Sequence, residues 1–216
     1  MKKLQISKKD AKLNVEVMNM NLLITGFDPF NNETINPAYQ AVKILPNKIG
    51  EINITKLEIP TSFTESFKTL KMALDKQNYD FVILVGQAGG RAHISLEKVA
   101  INYMNATNPE KDGLVVAHQQ IANNKEAYFT TLPIIKMLEN LNQANIKAAI
   151  SYTAGTFVCN YLMYKTLEYF ENSQTKVGFI HVPFCYEQTI NHEKPLPYME
   201  LETIAKALEN CIKALI

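Results

Sequence analysis

Short unbroken apolar runs that stop at glycine, separated by stretches of helical periodicity, constrain this chain more than any other feature. Residues 22–25 read Leu-Leu-Ile-Thr before Gly26, and residues 81–85 read Phe-Val-Ile-Leu-Val before Gly86. A run without polar alternation is the pattern of a strand covered on both faces. Residues 51–59 alternate around Ile52, Ile54 and Leu57, as a half-buried strand does, and residues 148–152 and 177–182 give two further strands. Residues 99–103 form a weaker candidate, and residues 105–127 read as polar and irregular.

Helical signals fill the gaps. Asn36-Pro37 supplies an N-cap and a first-turn proline ahead of Ala38, Val42, Ile44 and Leu45. Ser62-Phe63-Thr64-Glu65 matches a capping box opening a helix with Phe63, Phe67, Leu70 and Leu74 on one face. Further helices are expected at about 132–143, 157–170 and 201–215. This alternation predicts an α/β fold: a three-layer α/β/α sandwich with a mainly parallel, mixed central sheet and its function at the carboxyl edge of the strands.

Composition narrows the class. The chain has 216 residues, 47% of them hydrophobic, enough for one domain with a large core. No apolar run approaches the ~18 to 20 residues of a membrane-spanning helix. Twenty-two basic against 21 acidic residues give a net charge of +1, so no global field points to nucleic acid or a membrane surface. The basic bias belongs to the start, where Lys2, Lys3, Lys8, Lys9 and Lys12 outnumber Asp10 and Glu16. That segment lacks the apolar stretch of a secretion signal. Residues 1–17 are expected to be a flexible leader or a misassigned start, with residues 18–216 as the single domain. Three cysteines, at 159, 185 and 211, make neither a disulfide framework nor a CxxC pattern, which points to the reducing cytoplasm.

Cys159 falls just past the strand at 148–152, in the first turn of the next helix. Unpaired N–H groups and the positive end of the helix dipole favour a thiolate there and could stabilise an oxyanion. On position alone it is either a nucleophile or a small packing residue. His181 ends an apolar strand 22 residues later, and a βαβ unit would set the two strands side by side, with Cys159 and His181 meeting at one edge. Alone, His181 could equally be a core histidine. Glu97 could orient its imidazole as the acid of a triad, or be a surface carboxylate. Cys185 and Cys211 read as packing residues, and His93, His118 and His192 lack a second ligand at metal spacing, so no metal is assigned.

Gly86-Gln87-Ala88-Gly89-Gly90-Arg91 lets backbone approach a ligand, but its GxxGG spacing is not a dinucleotide fingerprint. Phe27 and Phe30 put two rings into a strand-end turn, either as loop packing or as a slot for a flat ring.

Four segments together resemble the pyroglutamyl peptidase I (pyrrolidone-carboxylate peptidase) family of cysteine peptidases: TGFDPF with INPA (25–30, 35–38), GQAGGR with EKVAIN (86–91, 97–102), SYTAGTFVCN (151–160) and GFIHVPF with EQ (178–184, 187–188). The chain departs from the family pattern at Asn31-Asn32, Ser95-Leu96 and Glu110. The resemblance implies Cys159 as nucleophile, His181 as base and then acid, and Glu97 as the acidic member. It further implies that Phe27 and Phe30 hold the substrate ring, that Gly86 and Gln87 border its pocket, and that Arg91 lies near the oxyanion site. It also implies a homotetramer acting on peptides with an N-terminal pyroglutamate, without metal or organic cofactor. A homologue that binds such peptides without turnover, and a phosphate-using enzyme resting on the Gly-rich loop alone, are the alternatives.

Overall fold

The structure, a computed structural model, describes residues 19–31, 33–106, 115–190 and 194–216. Residues 1–18, Asn32, Glu110 and His192 lie outside these residues. The order is β1 (Met20–Phe27), α1 (Pro37–Ile44), β2 (Lys48–Ile49), β3 (Ile52–Ile59), α2 (Ser66–Leu74), β4 (Phe81–Gln87), β5 (Ile94–Glu97), β6 (Val99–Ile101), β7 (Ala127–Phe129), α3 (Ile134–Gln143), β8 (Ala148–Ser151), α4 (Val158–Tyr169), β9 (Lys176–Val182), α5 (Tyr186–Thr189) and α6 (Leu201–Lys213).

Among the described residues, seven strands form one sheet in the order β2-β3-β1-β4-β9-β5-β8, and β6 with β7 makes a separate antiparallel pair. The central strands β3, β1, β4 and β9 are parallel. Their apolar runs are continuous because successive residues feed different layers. Leu22, Ile24, Ile83, Val85, Ile180 and Val182 join one core with α1, α3 and α6. Leu23, Val82, Leu84, Val177 and Phe179 join the other with α2 and α4.

Local chemistry sets how closely the layers approach. Asn36 caps α1 by accepting from the Ala38 N–H at 3.1 Å, and its amide donates to the Asp28 carbonyl at 2.9 Å. A Cβ at Gly26 would stand 2.5 Å from the Tyr39 backbone, so only glycine lets α1 lie this near β1. The box expected at 62–65 is half formed. Ser62 Oγ accepts from the N–H groups of Thr64 and Glu65, both at 3.2 Å, but the α-helix begins only at Ser66.

The expected neighbouring strands around Cys159 and His181 are a correction. β5 lies between β8 and β9, parallel to β8 and antiparallel to β9, so β8 runs opposite to β9. β5 is not apparent in the sequence because Ile94-Ser95-Leu96-Glu97 is too short to establish a period, and its alternation would leave one face exposed whereas all four residues are buried. Within the stretch expected to be irregular, Gln119 forms a bridge to Met104 and Ala127 begins β7.

Candidate active site

The carboxyl ends of the parallel strands converge on one edge of the sheet. Phe27 is the last residue of β1, Gln87 the last of β4, and His181 the second-last of β9. Cys159 arrives by the helix: it is the second residue of α4, which runs back across the sheet to feed β9 through a short turn. The start of α4 therefore overlies the end of β9. Cys159 and His181 share a cleft, although β8 and β9 do not pair.

Antiparallel β5 brings in the acid. Ser95 stands opposite His181 and Glu97 opposite Phe179, so the buried Glu97 side chain reaches the histidine from the adjoining strand. His181 Nδ1 donates to Glu97 Oε1 at 2.7 Å, and Arg91 Nη1 donates to the same oxygen at 2.9 Å. An ionised carboxylate only accepts, which fixes the proton on Nδ1 and leaves Nε2 as the imidazole's free nitrogen. Burial alone would raise the Glu97 pKa. The hydrogen bond and charge of His181, helped by Ser151 and Arg91, outweigh it and hold the carboxyl below its ordinary value.

The thiol behaves differently from the sequence expectation. Burial of the sulfur, followed by the negative Glu97, pushes Cys159 up to about 12; its own backbone N–H and Arg91 pull downward without prevailing. A thiol raised in this way needs a base to become nucleophilic. Cys185 and Cys211 are buried, and burial pushes them to about 11 and about 12, consistent with packing residues.

The cleft has a volume of about 190 Å³. Phe27 and Phe30 line it, and Phe157, just before α4, adds a third ring, 6.4 Å from Phe30 between centroids. Gln87 and Arg91 line it too. Gly86 does not. It is buried beneath the site, where a Cβ would approach Phe179 Cζ to 2.7 Å and Cys159 Sγ to 3.1 Å, so its contribution is room for the sulfur. Arg91 is tied to the acid while lining the same cleft as Cys159.

A profile of the pyroglutamyl peptidase family matches residues 20–216. The chain belongs to this family. It is 46% identical over 197 residues to the pyrrolidone-carboxylate peptidase of Thermococcus kodakarensis, spanning 90% of this chain and 95% of that one. With its Brachyspira hyodysenteriae counterpart it shares 48% identity over 198 residues, spanning 90% and 98%. The crystal structure of Bacillus amyloliquefaciens pyroglutamyl peptidase I superposes with a TM-score of 0.87 at 40% identity, covering 91% of this chain and 96% of that one. The Thermococcus litoralis pyrrolidone carboxyl peptidase gives 0.87 at 35% identity, covering 91% and 93%.

Within this pyroglutamyl peptidase fold, two polar residues support the site that sequence reading quoted only as parts of motifs. Asn160 is fully buried beside Cys159; its oxygen accepts from the Ile101 N–H and its amide donates to the carbonyls of Ile101 and Tyr103, each at 2.9 Å. These bonds pin the start of α4 to β6. Gln188, in α5, donates to Gln87 at 2.9 Å. A buried asparagine next to a nucleophile candidate was a visible signal for the first; nothing local in the sequence joined residues 87 and 188.

Proposed function

We propose that this chain is a cysteine-type pyroglutamyl peptidase that removes an N-terminal pyroglutamyl residue through an acyl-enzyme on Cys159. The observation that carries the reading is the chain of contacts from Arg91 through Glu97 to His181, ending at a cleft that Cys159 shares with three phenylalanine rings. A pyroglutamyl group is a neutral, flat lactam, which suits aromatic walls and amide hydrogen bonds.

As Cys159 Sγ attacks the pyroglutamyl carbonyl carbon, His181 Nε2 takes the thiol proton. Glu97 holds the imidazole in this tautomer and stabilises the imidazolium that forms. The N–H groups at the start of α4 have no intrahelical acceptors and stand where the tetrahedral oxyanion develops. Collapse breaks the amide C–N bond, and His181 returns the proton to the leaving amine. Water, deprotonated by His181, then attacks the thioester; pyroglutamate leaves and the sulfur takes the proton back.

The test is release of a fluorophore from a pyroglutamyl amide, with the matching prolyl amide alongside. Cleavage of the first only is expected, because proline lacks the ring carbonyl and leaves polar groups of the site unpaired. Equal cleavage of both, or of neither, contradicts the reading.

The peptidase domain is assigned to residues 18–216 and the preceding residues to a leader or a misassigned start, a division supported by a family profile that begins at residue 20. A chain starting at Met18 should retain full turnover. A cytoplasmic site of action is supported by three cysteines that are all unpaired. The family resemblance supports a homotetramer, which light scattering in solution tests.

A further inference from the structure

We infer that Gln188 sets the hydrogen-bonding polarity of Gln87 in the substrate cleft, so that the Gln87 carboxamide presents N–H donors to the lactam carbonyl. The inference rests on the pyroglutamyl peptidase reading and names what recognises the lactam.

A carboxamide can turn by half a rotation and exchange its donor and acceptor ends, so its direction must be fixed by something that cannot turn. Here that anchor is backbone. Cys185 caps α5, and Gln188 closes a capping box with it, accepting from the Cys185 N–H at 3.3 Å through Oε1. The Cys185 thiol points to the same oxygen at 3.6 Å. A main-chain N–H only donates, so Oε1 of Gln188 must face it. Nε2 of Gln188 is thereby directed to Gln87, where it donates to Oε1 at 2.9 Å. With its oxygen taken, Gln87 has its amide group left for a ligand, and Gln87 lines the cleft with Cys159 and His181.

Gln188 itself is buried and does not line the cleft, so it is a positioning residue acting through Gln87. The relay runs from a fixed backbone donor, through two carboxamides, to a donor in the cleft. It reads a carbonyl on the substrate ring, a group that pyroglutamate has and proline lacks.

Gln188→Glu reverses the relay with little change of shape. The introduced carboxylate accepts from the Cys185 N–H with one oxygen, and its other oxygen also only accepts. Gln87 must then turn its N–H donors toward it and present oxygen to the lactam oxygen. Turnover of a pyroglutamyl amide is measured for the unaltered chain, Gln188→Glu, Gln188→Leu, Gln87→Ala and the double variant Gln87→Ala/Gln188→Glu. Iodoacetamide labelling of Cys159 confirms an intact site in each. Because the lactam carbonyl is remote from the scissile bond, Gln188→Glu should lower kcat/KM by about 10- to 100-fold, chiefly through KM. Gln188→Leu frees Gln87 to choose either direction and should lose less. In the Gln87→Ala background, Gln188→Glu should add no further loss, because the group it acts through is gone.

A loss undiminished in the Gln87→Ala background, a loss confined to kcat, or no loss in Gln188→Glu would each overturn the inference while leaving the peptidase reading intact. Failure of the unaltered chain to cleave the pyroglutamyl amide would overturn both.

Discussion

His181 and Glu97 form a buried polar pair among the apolar runs of the sheet, and their energetics follow from sharing one proton direction. Glu97→Gln keeps the volume but gives the imidazole a partner that can donate, removing the constraint on its tautomer. The account predicts a kcat lower by about 10²- to 10⁴-fold with the fold retained, checked by steady-state kinetics beside circular dichroism. Gly86→Ala tests the site from below. The new methyl group meets Phe179 and the Cys159 sulfur, so the variant should lose about 1 to 3 kcal/mol of stability in urea unfolding and most of its activity. The resting state of Cys159 is equally specific. With the thiol held neutral by burial, ultraviolet thiolate absorbance at neutral pH should be no greater in the unaltered chain than in Cys159→Ser, the difference emerging only in strong alkali.

Among elements, α4 carries the candidate nucleophile Cys159, and Asn160 fixes its position. Asn160→Ala leaves the Ile101 N–H without its acceptor and two carbonyls without their donor; a loss of about 2 to 4 kcal/mol is expected, measured by denaturant midpoint. The parallel strands were legible in the sequence because each is a continuous apolar run with covered faces, and the helices because their apolar residues recur at helical spacing. β5 was not legible. Four residues are too few to establish a period, and the burial of Ser95 and Glu97 depends on strands β8 and β9, whose paired residues lie more than 50 positions away. Reading Cys159 and His181 as neighbours reached the right juxtaposition through the wrong pairing: strand order is a tertiary property, and the inserted β5 reverses β8 relative to β9. Gln188 escaped for a similar reason, its partner lying 101 positions back in β4.

For the whole molecule, the carboxyl of Glu97 links the site to global stability. Its folded pKa lies below the ordinary carboxylate value, so the unfolded chain binds the proton more readily. The stabilisation is present above the ordinary carboxylate range and is lost as pH falls through the depressed folded value. Urea midpoints should therefore fall on acidification below about pH 4.5, and the part of that fall due to Glu97 should be absent in Glu97→Gln. The covalent step is tested most directly by quenching the reaction with acid during turnover of a pyroglutamyl amide and mapping the adduct by peptide mass spectrometry. The account predicts one pyroglutamyl group, as a thioester, on the peptide containing Cys159, and neither adduct nor turnover in Cys159→Ser. An adduct on another residue, or full turnover by Cys159→Ser, would contradict it.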